Sequence, residues 1–452
     1  MKDLTFQLTP QAVISGKVLD DEGDPVARAR VTVMRQGFSN GKRQLLPSGA
    51  TMSDDAGEFK IGNLAPGRYY LSGAPQRSGI FGESARRAPG NPDKPEEDYV
   101  NTYYPGVTDA TAATPIEVVA GHDMPGTDIR LRKAQVFRVR GKVAGSIPNQ
   151  SIQRLRVALL PRDGGFMGFF GSGASVIDKD GAFELTDVQP GSYALAATSM
   201  EGMMQILARQ PLEVGNRNVD DVVLTLQPLG ELRGSVKVEG QQNANAGQNT
   251  APTPHLRVML MPSDGLSFNT PNATVADDGT FVLPNIAPGK YRINIIGNAD
   301  GTYLKSVRFG NQETLASGLD LSQGAGGGAL QVVFNAAAGQ IDGTVQTEEH
   351  QPAAGSIVTL APDPPQAEQT YLYRMIPADQ NGRFSLKNIA PGKYRLYAWE
   401  DLESGAQFDP ELAKLHESQS VLVTVGENGH EQATLTRVPA EKVEEARQKS
   451  GR

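Results

Sequence analysis

The chain has 452 residues, 38% of them apolar and 21% charged, with 50 glycines, 30 prolines and no cysteine. That length exceeds a single hydrophobic core and suits three or four domains, and the glycine and proline content favours many short strands joined by tight turns. A formal charge of −8 argues against nucleic acid or an anionic membrane surface as partner, and the lack of cysteine excludes disulfides, thiolate metal sites and a cysteine nucleophile.

From the start, Met1 to Phe6 holds no apolar run and reads as no secretory signal. No stretch approaches the roughly 18 apolar residues that span a bilayer, so no membrane insertion is expected. Leu4-Thr5-Phe6-Gln7-Leu8-Thr9-Pro10 alternates as a strand does and is similar to Leu224-Thr225-Leu226-Gln227-Pro228 farther on. A new strand follows each, so residues 1–9 are expected to be the closing strand of a preceding repeat. Leu4, Phe6 and Leu8 would then pair within their own chain or be donated to the sheet of another molecule.

Four segments then repeat one pattern. The first reads Asp55-Ala56-Gly57-Glu58-Phe59-Lys60-Ile61, then Leu64, then Pro66-Gly67-Arg68-Tyr69-Tyr70-Leu71. The others run from Asp180-Gly181 through Phe183 to Pro190-Gly191-Ser192-Tyr193, from Asp278-Gly279 through Phe281 to Pro288-Gly289-Lys290-Tyr291, and from Asn381-Gly382 through Phe384 to Pro391-Gly392-Lys393-Tyr394. Asp or Asn before Gly supplies a turn that tolerates positive φ. Phe-x-Leu and Tyr-x-Leu place alternate apolar side chains on one face, and Pro-Gly suits the centre of a type II turn. The pattern predicts two successive antiparallel strands sharing one buried face, with the four tyrosines as buried rings whose hydroxyls bond to backbone.

Flanking strands repeat too. Gly16, Gly141, Gly234 and Gly343 each centre an opening strand, and each unit closes on a strand such as Asp128 to Leu131 or Val222 to Leu226. Six or seven short strands in roughly 100 residues predict a β-sandwich. The fold class is therefore all-β, a tandem array of four Ig-like β-sandwich domains: 10–134 with an insertion at 76–102, then 135–229, 230–338 and 339–438, before a charged tail at 439–452 that reads as a fraying helix. Residues 76–102, 240–254 and 322–329 are expected to be exposed loops.

The opening strand with its central glycine, the Asp/Asn-Gly turn and the Phe-x-Leu to Pro-Gly-x-Tyr-x-Leu run resemble carboxypeptidase regulatory-like domains, which are transthyretin-like sandwiches. Thr102-Tyr103-Tyr104-Pro105-Gly106 and Tyr397-Ala398-Trp399-Glu400-Asp401 are similar to long secreted bacterial versions of that family. The resemblance implies a non-catalytic module used as companion, spacer or adhesive domain, extracellular or in the cell envelope. It also borders starch-binding-like domains, which leaves polysaccharide binding open, and fold alone does not decide between these.

No residue set converges on catalysis. The histidines His122, His255, His350, His416 and His430 are isolated and lack metal-ligand spacing. Gly37-Phe38-Ser39-Asn40-Gly41 matches the nucleophile-elbow string but follows a strand of a sandwich, where the string is a chance match. Asp54-Asp55-Ala56-Gly57 and Asp178-Lys179-Asp180-Gly181 read as hairpin turns rather than fragments of calcium loops, because further oxygen ligands are missing. Neither catalytic residue, metal nor cofactor is expected.

Two features carry candidate contacts. Trp399, two residues beyond Tyr397, suits core packing, with sugar stacking as the alternative. Phe166, Phe169 and Phe170 on a glycine-rich loop suit either a binding patch or burial against a neighbouring domain. The expected function is a non-catalytic extracellular or cell-envelope scaffold or stalk with a protein partner or a second copy of itself. A polysaccharide-binding module is one alternative, and an accessory region of a larger enzyme or outer-membrane receptor is another.

Overall fold

The computed structural model describes residues 10–39, 42–75, 96–145, 154–161, 174–176, 178, 180–199, 205–240, 256–263, 270–297, 301–366, 369–403 and 405–449. The chain divides into two compact units, Met1–Gln36 with Gln44–Pro228, and Gly37–Arg43 with Leu229–Arg452. Each unit contains two β-sandwiches, so the all-β tandem architecture is as expected.

Each sandwich is built from the same five strands. The opening strands are Ala12–Leu19, Lys133–Ala144, Gly230–Glu239 and Gly339–Gln346. Each pairs antiparallel with a strand carrying the repeated phenylalanine, namely Glu58–Leu64, Ala182–Val188, Thr280–Ile286 and Arg383–Ile389. On its other side each pairs parallel with a closing strand, Ile129–Arg130, Val219–Thr225, Ala329–Asn335 and His430–Val438. The second sheet holds a second strand (Arg30–Ser39, Leu155–Pro161, Arg257–Pro262 or Ile357–Pro362) antiparallel to the tyrosine strand (Gly67–Ala74, Gly191–Ser199, Lys290–Ile296 or Gly392–Trp399).

This corrects the expected hairpin. The phenylalanine and tyrosine strands do share one core, but they lie in opposite sheets in the first three sandwiches and are not neighbours in the fourth, so the Pro-Gly segment is a corner. In the fourth the closing strand His430–Val438 joins the two sheets by pairing with the end of the tyrosine strand. The preceding Asp/Asn-Gly turn also changes sheet, because the strand before it pairs with the second strand: Ala174–Val176, Asn272–Thr274 and Arg374–Pro377 all do so. The phenylalanine strand thus enters the first sheet from the second and returns to it. Phe59, Ile61, Tyr69 and Leu71 still face one core, since alternation along each strand is kept.

The register explains the central glycines. Gly16, Gly141, Gly234 and Gly343 stand opposite Phe59, Phe183, Phe281 and Phe384 in turn. A Cβ at Gly141 would lie 2.1 Å from the Val222 carbonyl and 2.8 Å from the Phe183 ring, and one at Gly343 would lie 2.1 Å from the Ala433 carbonyl. Any side chain there would push the phenylalanine or the closing strand out of place.

The turn glycines Gly57, Gly181, Gly279 and Gly382 take φ of 72°, 83°, 81° and 71°, as the Asp/Asn-Gly reading requires. The Pro-Gly reading needs correction, because Gly67 has φ 141° whereas Gly191 and Gly392 are not left-handed. The left-handed residue of the corner is instead an Asx four positions after the phenylalanine: Asn63, Asp187, Asn285 and Asn388, with φ of 61°, 59°, 58° and 58°. Each sits where the pairing register slips, so it is part of a β-bulge that bends the strand off its sheet. Asn and Asp tolerate this conformation better than other residues with a Cβ.

The tyrosine expectation holds. The hydroxyls of Tyr69, Tyr193 and Tyr394 donate to the carbonyls of Ala65, Gln189 and Ala390 at 2.8, 2.9 and 2.9 Å, and Tyr291 donates to Ala287 in the same way. Each bond ties the tyrosine strand to the corner four residues earlier. Residues 322–329 form a largely exposed loop, as expected. Part of the insertion at 76–102 does not: Glu96–Tyr99 is a strand. The tail forms helix α2 (Ala440–Lys449), after a short helix α1 (Pro410–Leu415) within the fourth sandwich.

Candidate functional site: the junctions between sandwiches

In the first unit the junction is a strand pairing. The opening strand of the second sandwich is 12 residues long, and its first four pair antiparallel with Glu96–Tyr99 from the first sandwich: Lys133 opposite Tyr99, Val136 opposite Glu96. A backbone ladder therefore crosses from one sandwich to the next where a loop linker would otherwise stand.

Charges fix that ladder at both ends. The Arg138 side chain is only 5% exposed, and its guanidinium donates to Glu96 at 2.7 Å and to Glu184 at 3.1 Å. Arg140 reaches the same Glu184 at 2.9 Å. Burial alone would push the Glu184 carboxyl up, but the two guanidinium groups outweigh it and hold the group below the ordinary carboxylate range. At the other end Tyr99 donates to Asp21, Lys133 bonds the same carboxylate at 3.1 Å, and the Lys133 ammonium lies 4.8 Å from the centre of the Tyr99 ring. Those bonds from Tyr99 and Lys133 lower the Asp21 carboxyl and raise the Lys133 ammonium.

In the second unit two hydrogen bonds between the sandwiches join neutral groups. Asn388, the left-handed residue of the fourth corner and 8% exposed, accepts the Gly301 N–H on its side-chain oxygen at 2.9 Å. Its own carbonyl accepts from Arg374 at 3.3 Å. Asn428 N–H donates to the Ala337 carbonyl at 3.1 Å alongside. Tyr303 and Leu304 of the third sandwich line a narrow cleft with Tyr371, Arg374, Ile389 and Tyr394 of the fourth. Burial pushes the Tyr394 phenol up to about 12.

The candidate contact residues fare differently. Trp399 is 2% exposed; its ring stacks on Tyr397 at 5.4 Å, meets the edge of His416 at 5.3 Å, and its indole N–H donates to Thr359 Oγ1 at 2.8 Å. No face is open to a sugar, so the stacking alternative is corrected to packing. Phe166, Phe169 and Phe170 lie outside the described residues, as do Leu4, Phe6 and Leu8.

Polar clusters resolve as structural. Asp54 Oδ1 accepts from Ala56 and Glu58 N–H, and Asp178 Oδ1 from Asp180 and Ala182 N–H, which is turn geometry rather than a calcium loop. Among the described residues the only acidic or histidine cluster of metal-binding closeness is Asp20, Asp21 and Glu22. There Asp20 caps its own turn through three N–H groups, and Asp21 is taken by Tyr99 and Lys133. His122, His350 and His430 are exposed, His416 is buried and His255 lies outside the described residues. Gly37 to Ser39 end a strand of an antiparallel sheet, which is no setting for a nucleophile elbow. Two functional features went unread in the sequence. The Asx after each phenylalanine was there in register, four times; Arg138 carried no signal, because nothing in its strand marks it as facing Glu96.

Residues 13–74 match the carboxypeptidase regulatory-like domain. The match spans the opening, second, phenylalanine and tyrosine strands of the first sandwich. Residues 353–429, in the fourth, match a different description, polysaccharide lyase family 4, domain II. No curated protein matches the chain. Among solved structures the chain is similar to the Bacillus anthracis TIE protein, at 11% identity over 96% of this chain and 76% of that one, with a TM-score of 0.18. A streptococcal ancillary pilin is 11% identical over 67% and 99%, with a TM-score of 0.21. The major pilin subunit BcpA of Bacillus cereus is 10% identical over 94% and 99%, with a TM-score of 0.16. Scores this low decide nothing about arrangement or activity. Among the described residues no helix is long and apolar enough to cross a membrane.

Proposed function

We propose that the chain is a non-catalytic structural array, an extracellular or cell-envelope scaffold of carboxypeptidase regulatory-like sandwiches with domain boundaries near residues 134, 229 and 338. The observation that supports this most is the continuous strand pairing of Glu96–Tyr99 with Lys133–Val136, closed by the buried Arg138. A ladder of backbone hydrogen bonds resists bending and shear far better than a free linker does. The recurring polar side chains support the same reading: the turn carboxylates and the tyrosine hydroxyls bond to backbone, as does Asn388 at the fourth corner, which leaves none of these poised for chemistry.

Force spectroscopy on the intact chain, run beside peptidase, esterase and glycosidase assays, tests the reading. Discrete sandwich unfolding events with no turnover are expected. Turnover that disappears on mutating one set of clustered polar residues would overturn it.

A further inference from the structure

In the first and third sandwiches the segment after the tyrosine strand reaches toward the next sandwich and meets its corner. In the first, Glu96–Tyr99 pairs with the next opening strand, and Tyr103 and Asp109 share a cleft with Gln189 and Pro190 of the second corner. In the third, Gly301, Tyr303 and Leu304 meet Asn388, Ile389 and Ala390 of the fourth corner. At both of these junctions a post-tyrosine arm lies beside the corner of the sandwich that follows, and in the second unit it bonds the corner Asx directly.

The fourth sandwich has the arm but uses it on itself. After Trp399 the described residues 401–403 and 405–420, including α1, lie against the outer face of its own second sheet. Leu396 and Ala398 point into the sandwich core, while Tyr397 and Trp399 point the other way, into a separate cluster with Leu402, Ala406 and Leu412. Helix α2 completes the cover through Val443, its one buried residue among those described.

Polar ties hold this cover beside its apolar contacts. Arg395 of the tyrosine strand pairs with Glu417 at 2.8 Å and donates to Ser420 at 3.1 Å. The Tyr397 hydroxyl donates to the Ala413 carbonyl at 3.1 Å, the Ala440 N–H donates to Glu400 at 3.1 Å, and Lys442 pairs with Glu348 at the surface. His416 is 3% exposed, and its Nε2 has no hydrogen-bond partner, which makes the closed cover less stable than its apolar contacts alone would make it. In the first sandwich the matching corner is open where the fourth one is taken: Asn63 and Ala65 are exposed, whereas Asn388 is buried.

We propose that residues 401–403 and 405–420 with helix α2 are a retracted coupling arm, and that when released the arm and the Trp399 face bind the Asn63–Pro66 corner of a second copy. The contact is heterologous, so it repeats head to tail instead of closing on a pair. It rests on the scaffold reading above and adds a partner and a control point to it.

The test uses the full-length chain. Trp399 is its only tryptophan, so indole emission reports the cover alone. Val443→Asp places a charge under α2 and should red-shift that emission while light scattering shows mass growing with concentration. Adding Ala65→Arg should keep the red shift and abolish the growth, which non-specific aggregation would not do. Circular dichroism checks that both variants keep their sheets, and Leu412→Asp serves in place of Val443→Asp if they do not. A red shift with a mass of one chain at every concentration overturns the proposal, as does growth that Ala65→Arg leaves intact or emission that neither Asp variant moves. None of these results touches the scaffold reading, which fails only by turnover.

Discussion

The two junctions do the same mechanical work with opposite chemistry. Between the first and second sandwiches a backbone ladder is closed by a buried guanidinium shared between two carboxylates. Between the third and fourth, a neutral asparagine corner takes one backbone N–H, and aromatic rings fill the cleft beside it. The repeated corner is equally present in both, so what varies is the arm that meets it. A charged junction gains specificity from geometry but is exposed to pH and salt, whereas the Asn388 amide takes the Gly301 N–H without a titrating group.

The largest effect should come from Arg138→Ala. Removing one partner of a buried ion pair leaves the other uncompensated and costs about 3 kcal/mol, the lower end of the range because Glu184 is 41% exposed. Differential scanning calorimetry should show the first unit melting earlier with the second unmoved. Equal shifts in both units would mean that Arg138 does not act locally. Asn388→Ala should cost about 2 kcal/mol in the second unit, through the lost Gly301 bond and a left-handed alanine. Asn63→Ala loses only the backbone preference, about 1 kcal/mol. The difference between these two asparagine variants isolates the junction bond, and no difference would remove Asn388 from the coupling.

What could be read from the residues was whatever repeats. Four turn glycines, four phenylalanines and four tyrosines declare one strand–turn–strand unit, and their alternation gives the shared core. Sheet membership was not legible, because the same alternation serves a hairpin and a corner alike. The Asx bulge settles that, and its signal was in register at Asn63, Asp187, Asn285 and Asn388. The junctions were illegible for another reason: they are built from parts that do not repeat. Glu96–Tyr99 lies at the end of a stretch rich in proline, glycine and charge, and such composition says loop. Trp399 could be weighed as core or platform, and only the covering segment after it decides. Gly279→Val tests the part that was legible. At φ 81°, with a Cβ 2.8 Å from the Val236 carbonyl, valine should cost on the order of 1–3 kcal/mol in the second unit.

The smallest effect is the one that separates the junctions by condition rather than by mutation. Glu184 is held below its ordinary range in the folded chain, so it binds fewer protons folded than unfolded. The stability it gives is present above the unfolded carboxylate pKa and is lost as pH falls through the folded value. Acid should therefore loosen the first junction, while Asn388 carries no titrating proton with which to answer. Hydrogen exchange of the Lys133–Val136 amides, followed from pH 7 downward and corrected for intrinsic rate, should lose protection before the Gly301 amide does. Glu184→Gln should flatten that acid response, because an amide keeps a hydrogen bond to Arg138 but binds no proton. Equal loss at both junctions in the parent chain would show that acid acts on the sandwiches themselves, through groups such as Asp342. That carboxyl is likewise lowered, chiefly by Ser385.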